Sequence, residues 1–208
     1  MSIKAILFDL GGVFLELDFS NFYDKIISPS PLNKPQAPLM LRFFRQSDIY
    51  HEGKMSDEEF YNLACDILQA NKEQLSQTEF FDAFNSIISS INKEMVEMLK
   101  KLKEHGKYKL LAISNINSSH WEYLQGQECD FIDYFDELIL SHEVHITKPN
   151  HKIFQIAIEQ ANCEPEEILY IDDGLNNVKS ARELGIKGLN FTDTKDLISK
   201  FEELGIHI

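Results

Sequence analysis

Polar side chains that can bind a metal or an anion follow several short apolar runs of this chain. They are Asp9, Ser114, Asn115, Lys148, Asp172 and Asp173. The first of them comes directly after residues 3–8, a nearly unbroken apolar run typical of a buried parallel strand. A carboxylate buried alone there is costly, so we expect it to face a cleft, a metal ion or a partner group.

Three of these groups are carboxylates, which repel one another unless a cation lies between them. Asp9, Asp172 and Asp173 offer only oxygen ligands, which favours magnesium over zinc. The main-chain carbonyl of Gly11 is a further candidate ligand. Gly11 and Gly12 also remove side-chain bulk, so that a ligand can approach the backbone closely.

The remaining groups suit a phosphoryl group. Lys148 offers a point charge, and the Ser114 hydroxyl and the Asn115 amide offer hydrogen bonds. A carboxylate held beside them can attack phosphorus in line and form an aspartyl-phosphate. Asp9 is the best candidate for the nucleophile because it lies deepest on a buried strand.

The elements that must position these groups alternate along the second half of the chain. Strands are predicted at 109–114, 138–141, 168–171 and 188–191, with helices between them. This pattern predicts an α/β fold, a Rossmann-like parallel sheet with helices on both faces. Right-handed crossovers would gather the carboxyl ends of the strands, and with them the polar groups, on one edge.

A helical stretch separates the first strand from this alternation. Apolar residues recur at helical steps from residue 39 to about 92, Ser56 and Glu59 form a capping-box pattern, and no strand pattern occurs between 20 and 108. We therefore predict an α/β core domain at 1–15 and 91–208. Residues 16–90, called the helical insert below, are predicted to form a cap domain.

Composition restricts the partners. The 208 residues include 20 Lys and Arg against 34 Asp and Glu, a formal charge of −14, which argues against nucleic acid or an anionic membrane as a partner. Three widely spaced cysteines fit a reducing cytoplasm. Neither a signal peptide nor a run of about 20 apolar residues is evident, so a cytoplasmic location is expected. The oligomeric state stays open.

Four motifs, in order, resemble those of the haloacid dehalogenase superfamily, of the capped phosphatase type. They are residues 8–13, 111–115, 148–149, and 170–173 with Asn177 behind them. The resemblance spans the whole chain and is nearest to the glucose-1-phosphatase-like and epoxide hydrolase N-terminal-like branch. It implies a magnesium-dependent phosphatase acting on a small phosphorylated metabolite, such as a sugar phosphate, with the helical insert closing over it.

The resemblance also implies a role for each site residue. Asp9 would be the nucleophile, and Ser114 and Lys148 would hold the transferring phosphoryl group. Asp172 and Asp173 would bind Mg²⁺, and the carbonyl of Gly11 would contribute a ligand.

One position departs from the family pattern. These phosphatases usually carry a second aspartate, the general acid and base, two residues after the nucleophile, where this chain has Gly11. Substrates with good leaving groups, such as anomeric sugar phosphates, would need no acid. Glu16, Asp18 or a water molecule held by the cap would be a substitute. A third interpretation is a slow enzyme of this family, or a relative that only binds phosphate or metal. A fourth is a dehalogenase that uses Asp9 without a metal.

Histidines offer weaker signals. His142, His145 and His151 lie within ten residues, but their irregular spacing favours solvated side chains over a transition-metal site. His51 lies in the helical insert, either in a connecting loop or within reach of substrate.

Overall fold

The computed structural model describes residues 2–32, 36–127 and 129–207. Its strands are β1 (Ala5–Phe8), β2 (Leu15–Leu17), β3 (Ile88–Ile91), β4 (Lys109–Ser114), β5 (Glu137–Leu140), β6 (Ile168–Asp172) and β7 (Lys187–Asn190). Five of them form a parallel sheet in the order β5-β4-β1-β6-β7. The predicted α/β class and the predicted parallel sheet are confirmed.

Helices cover both faces of this sheet. In chain order they are α1 (Ser20–Phe22), α2 (Gln36–Gln46), α3 (Asp48–His51), α4 (Asp57–Leu68), α5 (Gln77–Asn85), α6 (Lys93–His105), α7 (Ser118–Gln125), α8 (Ser141–Val144), α9 (His151–Ala161), α10 (Leu175–Glu183) and α11 (Thr194–Glu203). A π-helical turn, Tyr23–Ile27, continues α1. Alternate residues of β1 enter opposite cores: Ile6 and Phe8 pack with residues of α6 and α11, and Ala5 and Leu7 with residues of α9 and α10.

A strand lies where none was predicted. β3 pairs with β2 in an antiparallel ribbon between the helical insert and the sheet, so the expectation of no strand between 20 and 108 was wrong. The sequence of β3 is Ile-Ser-Ser-Ile, a weak pattern whose pairing partner lies about 70 residues earlier. Such a strand is stabilised by its non-local partner rather than by its own residues. The predicted domain boundaries fall within this ribbon and stay a prediction.

The helical insert has an aromatic core of its own. Phe60 is fully buried and stacks on Tyr50 with ring centroids 4.0 Å apart, and Phe43, Phe80 and Phe84 surround it. Aromatic pairs of this kind each add about 0.5–1.5 kcal/mol beyond the area they bury. α4 begins with the predicted capping box, in which the Ser56 hydroxyl accepts a hydrogen bond from the Glu59 main chain. In the described ranges, no helix combines the length and apolar character that a membrane span requires.

Candidate active site

The sheet brings the predicted site residues to one edge. β1 is central and pairs in parallel with β4 on one side and β6 on the other. Asp9 follows β1, Ser114 ends β4 and Asp172 ends β6, so their side chains share the carboxyl edge of the sheet. Lys148 reaches the same place from the loop after α8, and all four residues are buried.

Lys148 is the centre of the arrangement. Its Nζ lies 2.8 Å from Asp9 Oδ1 and 2.8 Å from Asp172 Oδ2, and it donates to the main-chain oxygen of Ile113 at 3.0 Å. An ammonium group has three protons, and all three are used. Lys148 is therefore held in one position, with both carboxylates drawn toward it.

One ammonium does not neutralise two buried carboxylates. Burial raises the pKa of Asp9 to about 7, although the charge of Lys148 opposes that shift. Burial also acts to raise the pKa of Asp172, but Lys148 and hydrogen bonds outweigh it and hold that pKa below its ordinary value. Burial lowers and the two carboxylates raise the pKa of Lys148, with a net rise. The site has an excess of negative charge, and this excess disfavours the ionised form of Asp9 most.

Asp172 is fixed by its own loop. The Gly174 main-chain N–H donates to Oδ1 at 2.7 Å, and Asn177 Nδ2 donates to both carboxylate oxygens at 3.1 Å. The Tyr170 hydroxyl also donates to Oδ2. Asn177, which follows the fourth motif, therefore orients an aspartate rather than facing open space.

A cation fits between the three predicted aspartates. Asp9, Asp172 and Asp173 each offer an oxygen atom, and these atoms lie within 4.8 Å of one another. In the part of the chain that the structure describes, this is the only group of three or more His, Cys, Asp or Glu side chains so placed. All three donors are hard oxygen ligands, and they carry the uncompensated charge, so the residues fit Mg²⁺.

The two glycines after Asp9 have different roles. Gly12 has a φ of +72°, and a Cβ there would lie 2.3 Å from Asp173 Oδ2, so only glycine allows the two loops to approach. A Cβ on Gly11 would meet only Leu17 Cδ1, at 3.7 Å, which is ordinary contact. The position where the family usually has its second aspartate thus has room for a side chain. The role of the Gly11 carbonyl as a ligand stays a prediction.

Ser114 and Asn115 differ in which of their hydrogen-bonding groups are already used. Within the described residues, the Ser114 hydroxyl and the Asn115 main-chain N–H have no hydrogen-bond partner, and both stay available for an anion. The Asn115 side chain is already used: its Nδ2 donates to the Lys148 carbonyl at 2.9 Å, and its Oδ1 accepts from the Lys148 N–H at 2.7 Å. This side chain holds the lysine loop against β4.

A buried network joins the helical insert to the sheet, and the sequence did not predict it. Asn117 Nδ2 lies 3.3 Å from His51 Nε2 and 3.2 Å from His120 Nδ1. The opposite nitrogens of the two rings contact main-chain oxygens, of Ser47 for His51 and of Phe84 for His120, both at 3.0 Å. Because an amide nitrogen only donates, both rings accept from it and are neutral.

Burial favours this neutral state. It lowers the pKa of His120 to about 4 and lowers the pKa of His51 as well. The reach of His51 to substrate stays a prediction. His51 ends α3 rather than lying in a connecting loop, and it binds a residue of the sheet domain. Only a contact between residues 66 positions apart reveals this role, and no local pattern signals it.

A cavity of about 170 Å³ opens beside Gly11, between the sheet edge and the helical insert. Its walls are mostly aromatic and aliphatic, and they include Ser114 and Asn115, which the sequence predicts to bind a phosphoryl group. We call it the apolar cavity; it is lined by Gly11, Leu15, Leu17, Phe19, Phe44, His51, Phe84, Ile87, Ile88, Ser114, Asn115, Ile116 and His120.

Neither carboxylate predicted as a substitute acid lines this cavity. Glu16 accepts a hydrogen bond from Ser90 at 3.0 Å, and Asp18 accepts one from the Ser20 main chain at 2.9 Å. Both side chains are exposed. The titratable side chains that do line the cavity are the two neutral histidines.

The loop histidines bind three separate partners. His142 and His145 each place Nδ1 against a main-chain carbonyl, at 3.0 and 2.8 Å, and His151 pairs with Glu183 at 3.0 Å. In the described part of the chain they therefore do not converge on one point.

Comparison with known proteins gives one consistent family. The family model described as "haloacid dehalogenase-like hydrolase" matches residues 3–185. A D-ribitol-5-phosphate phosphatase of Bacteroides thetaiotaomicron is 28% identical over 193 residues, with 89% of this chain and 90% of that protein covered. A sesquiterpene phosphatase of Aspergillus oryzae is 23% identical, with 93% and 92% covered. A structure of a HAD family enzyme from B. thetaiotaomicron, in complex with magnesium and inorganic phosphate, superposes with a TM-score of 0.76 at 28% identity over 94% of this chain and 99% of that one.

Proposed function

The chain belongs to the haloacid dehalogenase-like hydrolases, and on that premise we propose that it is a magnesium-dependent phosphomonoesterase working through an aspartyl-phosphate on Asp9. The observation that carries the proposal is the position of Asp9: its Oδ1 lies 2.8 Å from Lys148 Nζ, and it offers an oxygen atom within 4.8 Å of one from each of two further aspartates. The substrate is a small phosphorylated metabolite.

The residues divide the reaction as follows. A carboxylate oxygen of Asp9 attacks phosphorus, the new O–P bond forms, and the bond to the alcohol oxygen breaks. The Ser114 hydroxyl and the Asn115 main-chain N–H bind the phosphoryl oxygens, and the Lys148 ammonium beside Asp9 offsets their negative charge. Water then releases phosphate and regenerates the Asp9 carboxylate. Mg²⁺, held by Asp9, Asp172, Asp173 and the Gly11 carbonyl, would neutralise the charge of the phosphoryl group.

The helical insert would act as the cap. Its residues form one wall of the apolar cavity, so its closure would cover the alcohol part of the substrate and exclude water. Because residue 11 is glycine, the cavity lacks the acid that the family usually has at this position. The leaving alcohol would then take its proton from water, or the substrate would need none.

Relatives support two kinds of alcohol. The resemblance to glucose-1-phosphatase-like proteins and the similarity to a ribitol phosphate phosphatase support a sugar phosphate. The similarity to a sesquiterpene phosphatase supports an apolar alcohol.

Release of phosphate from a panel of phosphomonoesters and acetyl phosphate tests the proposal. We expect turnover with Mg²⁺, loss of turnover with EDTA, and a fall of about 10⁴-fold or more in Asp9→Asn. Activity that survives Asp9→Asn unchanged would end the assignment of the nucleophile. Halide release from a haloacid in EDTA would support the dehalogenase, for which a cluster of three aspartates has no use.

A weak relative is the second candidate, because Gly11 replaces the acid. It predicts Mg²⁺ and phosphate binding by calorimetry, with no turnover on any ester of the panel.

A further inference from the structure

The apolar cavity holds the place where the alcohol part of a phosphate ester must lie. Its lining includes Ser114 and Asn115, two of the proposed phosphoryl-binding residues, together with Gly11. Elsewhere the walls are mostly hydrocarbon, contributed by Leu17, Phe19, Phe44, Phe84, Ile87 and Ile116. Phe84, Ile87 and Ile116 are buried and Leu17 is 45% exposed, so the packed part of the wall offers hydrocarbon and no hydrogen-bond partner.

The polar side chains of this cavity have no hydrogen bonds to spare. Both ring nitrogens of His51 and of His120 are occupied by Asn117 and by main-chain oxygens. The Asn115 amide is bonded twice to the Lys148 backbone. Among the described residues, the Ser114 hydroxyl is the one polar side-chain group in the lining without a partner, and it faces the phosphoryl end.

A polyol placed here would lose its hydrogen bonds to water. Each hydroxyl would face a hydrocarbon wall or a polar group that is already paired, and an unpaired buried hydroxyl is unfavourable. A hydrocarbon chain or ring loses no hydrogen bond and gains from each buried methylene group.

We propose that the alcohol part of the substrate is an apolar chain or ring rather than a polyol, an inference that rests on the proposed phosphomonoesterase function. The class is a monophosphate ester of a short aliphatic, allylic or aromatic alcohol. This conclusion differs from the sugar phosphate that the family resemblance implies.

Two matched ladders of substrates test it. The first is ethyl, butyl and hexyl phosphate; the second is the monophosphates of ethylene glycol, erythritol and sorbitol, which have the same chain lengths. Polyol alkoxides leave slightly more easily, so chemistry alone favours the second ladder. We expect kcat/KM to rise about fourfold per added methylene in the alkyl series until the cavity is filled. Each alkyl ester should exceed its polyol counterpart at least tenfold at four and six carbons.

Hydrolysis of acetyl phosphate distinguishes a failure of this inference from a failure of the proposed function. If it is hydrolysed in a reaction that needs Asp9, and the polyols are nevertheless preferred or equal, the apolar alcohol is wrong and the phosphatase stands. If neither ladder nor acetyl phosphate is hydrolysed, the proposed function fails first.

Leu17→Asn tests the wall itself, with Leu41→Asn as its control. Leu17 lines the cavity, whereas Leu41 is an exposed leucine of α2 outside it. The ratio of kcat/KM for hexyl over ethyl phosphate should fall about tenfold in Leu17→Asn and stay constant in Leu41→Asn. Equal ratios in both variants would overturn the proposal.

A second measurement needs no variant. Alkylphosphonates of two to six carbons have no ester to cleave and compete with acetyl phosphate. Their inhibition constants should fall with chain length by the same factor per methylene group, and a flat series would contradict the proposal.

Discussion

The two ends of this site differ in chemical character. The phosphoryl end is charged and comes from loops that follow parallel strands, with one lysine between two buried aspartates. The leaving-group end is hydrocarbon and comes largely from the helical insert, with its two histidines held neutral. The first end can bind any phosphate ester, so discrimination between esters must come from the second.

Removing the charge at the phosphoryl end should have the largest effect. Lys148→Met removes the ammonium group between Asp9 and Asp172, and with it the positive charge beside the transferring phosphoryl group. We expect kcat/KM to fall about 10³-fold for every substrate alike, as for the loss of a transition-state donor. Steady-state kinetics on the alkyl and polyol esters measures it.

Lys152→Met is the matched control, since Lys152 is exposed on α9. A loss confined to one class of ester, or similar losses in both variants, would show that Lys148 does not belong to the common phosphoryl end.

Placing an acid at the boundary between the two ends should give a gain. Gly11 has room for a side chain, with Leu17 Cδ1 3.7 Å from the position of a Cβ. Gly11→Asp should raise kcat for alkyl esters about 100-fold, within the range for general acid–base catalysis, because their alkoxides need a proton. Acetyl phosphate, with its good leaving group, should change little.

Gly11→Asn has nearly the same size but no proton to transfer. If it matches Gly11→Asp, the gain comes from packing, and the account of the missing acid is wrong.

The hydrogen-bonded network of His51, Asn117 and His120 should make the free energy of unfolding depend on pH. Because the pKa of buried His120 lies near 4, below the value of about 6.5 in an unfolded chain, the unfolded state binds more protons between these values. His120 should therefore lower the free energy of unfolding by about 2 kcal/mol between pH 7 and pH 5. The raised pKa of Asp9 acts in the opposite direction, so the His120 contribution is obtained by comparing the wild type with a His120 variant. Urea titrations at both pH values measure it.

His120→Gln should remove most of that difference, whereas His105→Gln, on the exposed face of α6, should keep it. Equal pH dependence of the wild type and His120→Gln would mean that His120 is not held neutral.

The same contrast explains what the sequence could predict. Asp9, Ser114, Lys148 and Asp172 were found because buried parallel strands have apolar runs, and because such a sheet gathers the strand ends on one edge. That logic needs no contact between distant residues beyond the topology itself.

No local sequence pattern predicted the leaving-group end of the site. The phenylalanines of its wall recur at helical spacing, as they would in any helical core. The Asn117 network and the β2–β3 ribbon join residues about 70 positions apart. Local patterns therefore predicted the residues proposed to bind a phosphate, whereas the apolar cavity proposed to hold the alcohol emerged only from the assembled fold.

The most direct test of the account is to trap the phosphoryl group on the protein. The enzyme is mixed with acetyl phosphate and Mg²⁺, quenched in acid within milliseconds, and reduced with borohydride, which converts an aspartyl-phosphate to homoserine. Peptide mass spectrometry should find homoserine at position 9 and nowhere else. Conversion at another residue, or none in an enzyme that is turning over, would contradict the assignment of Asp9 as nucleophile.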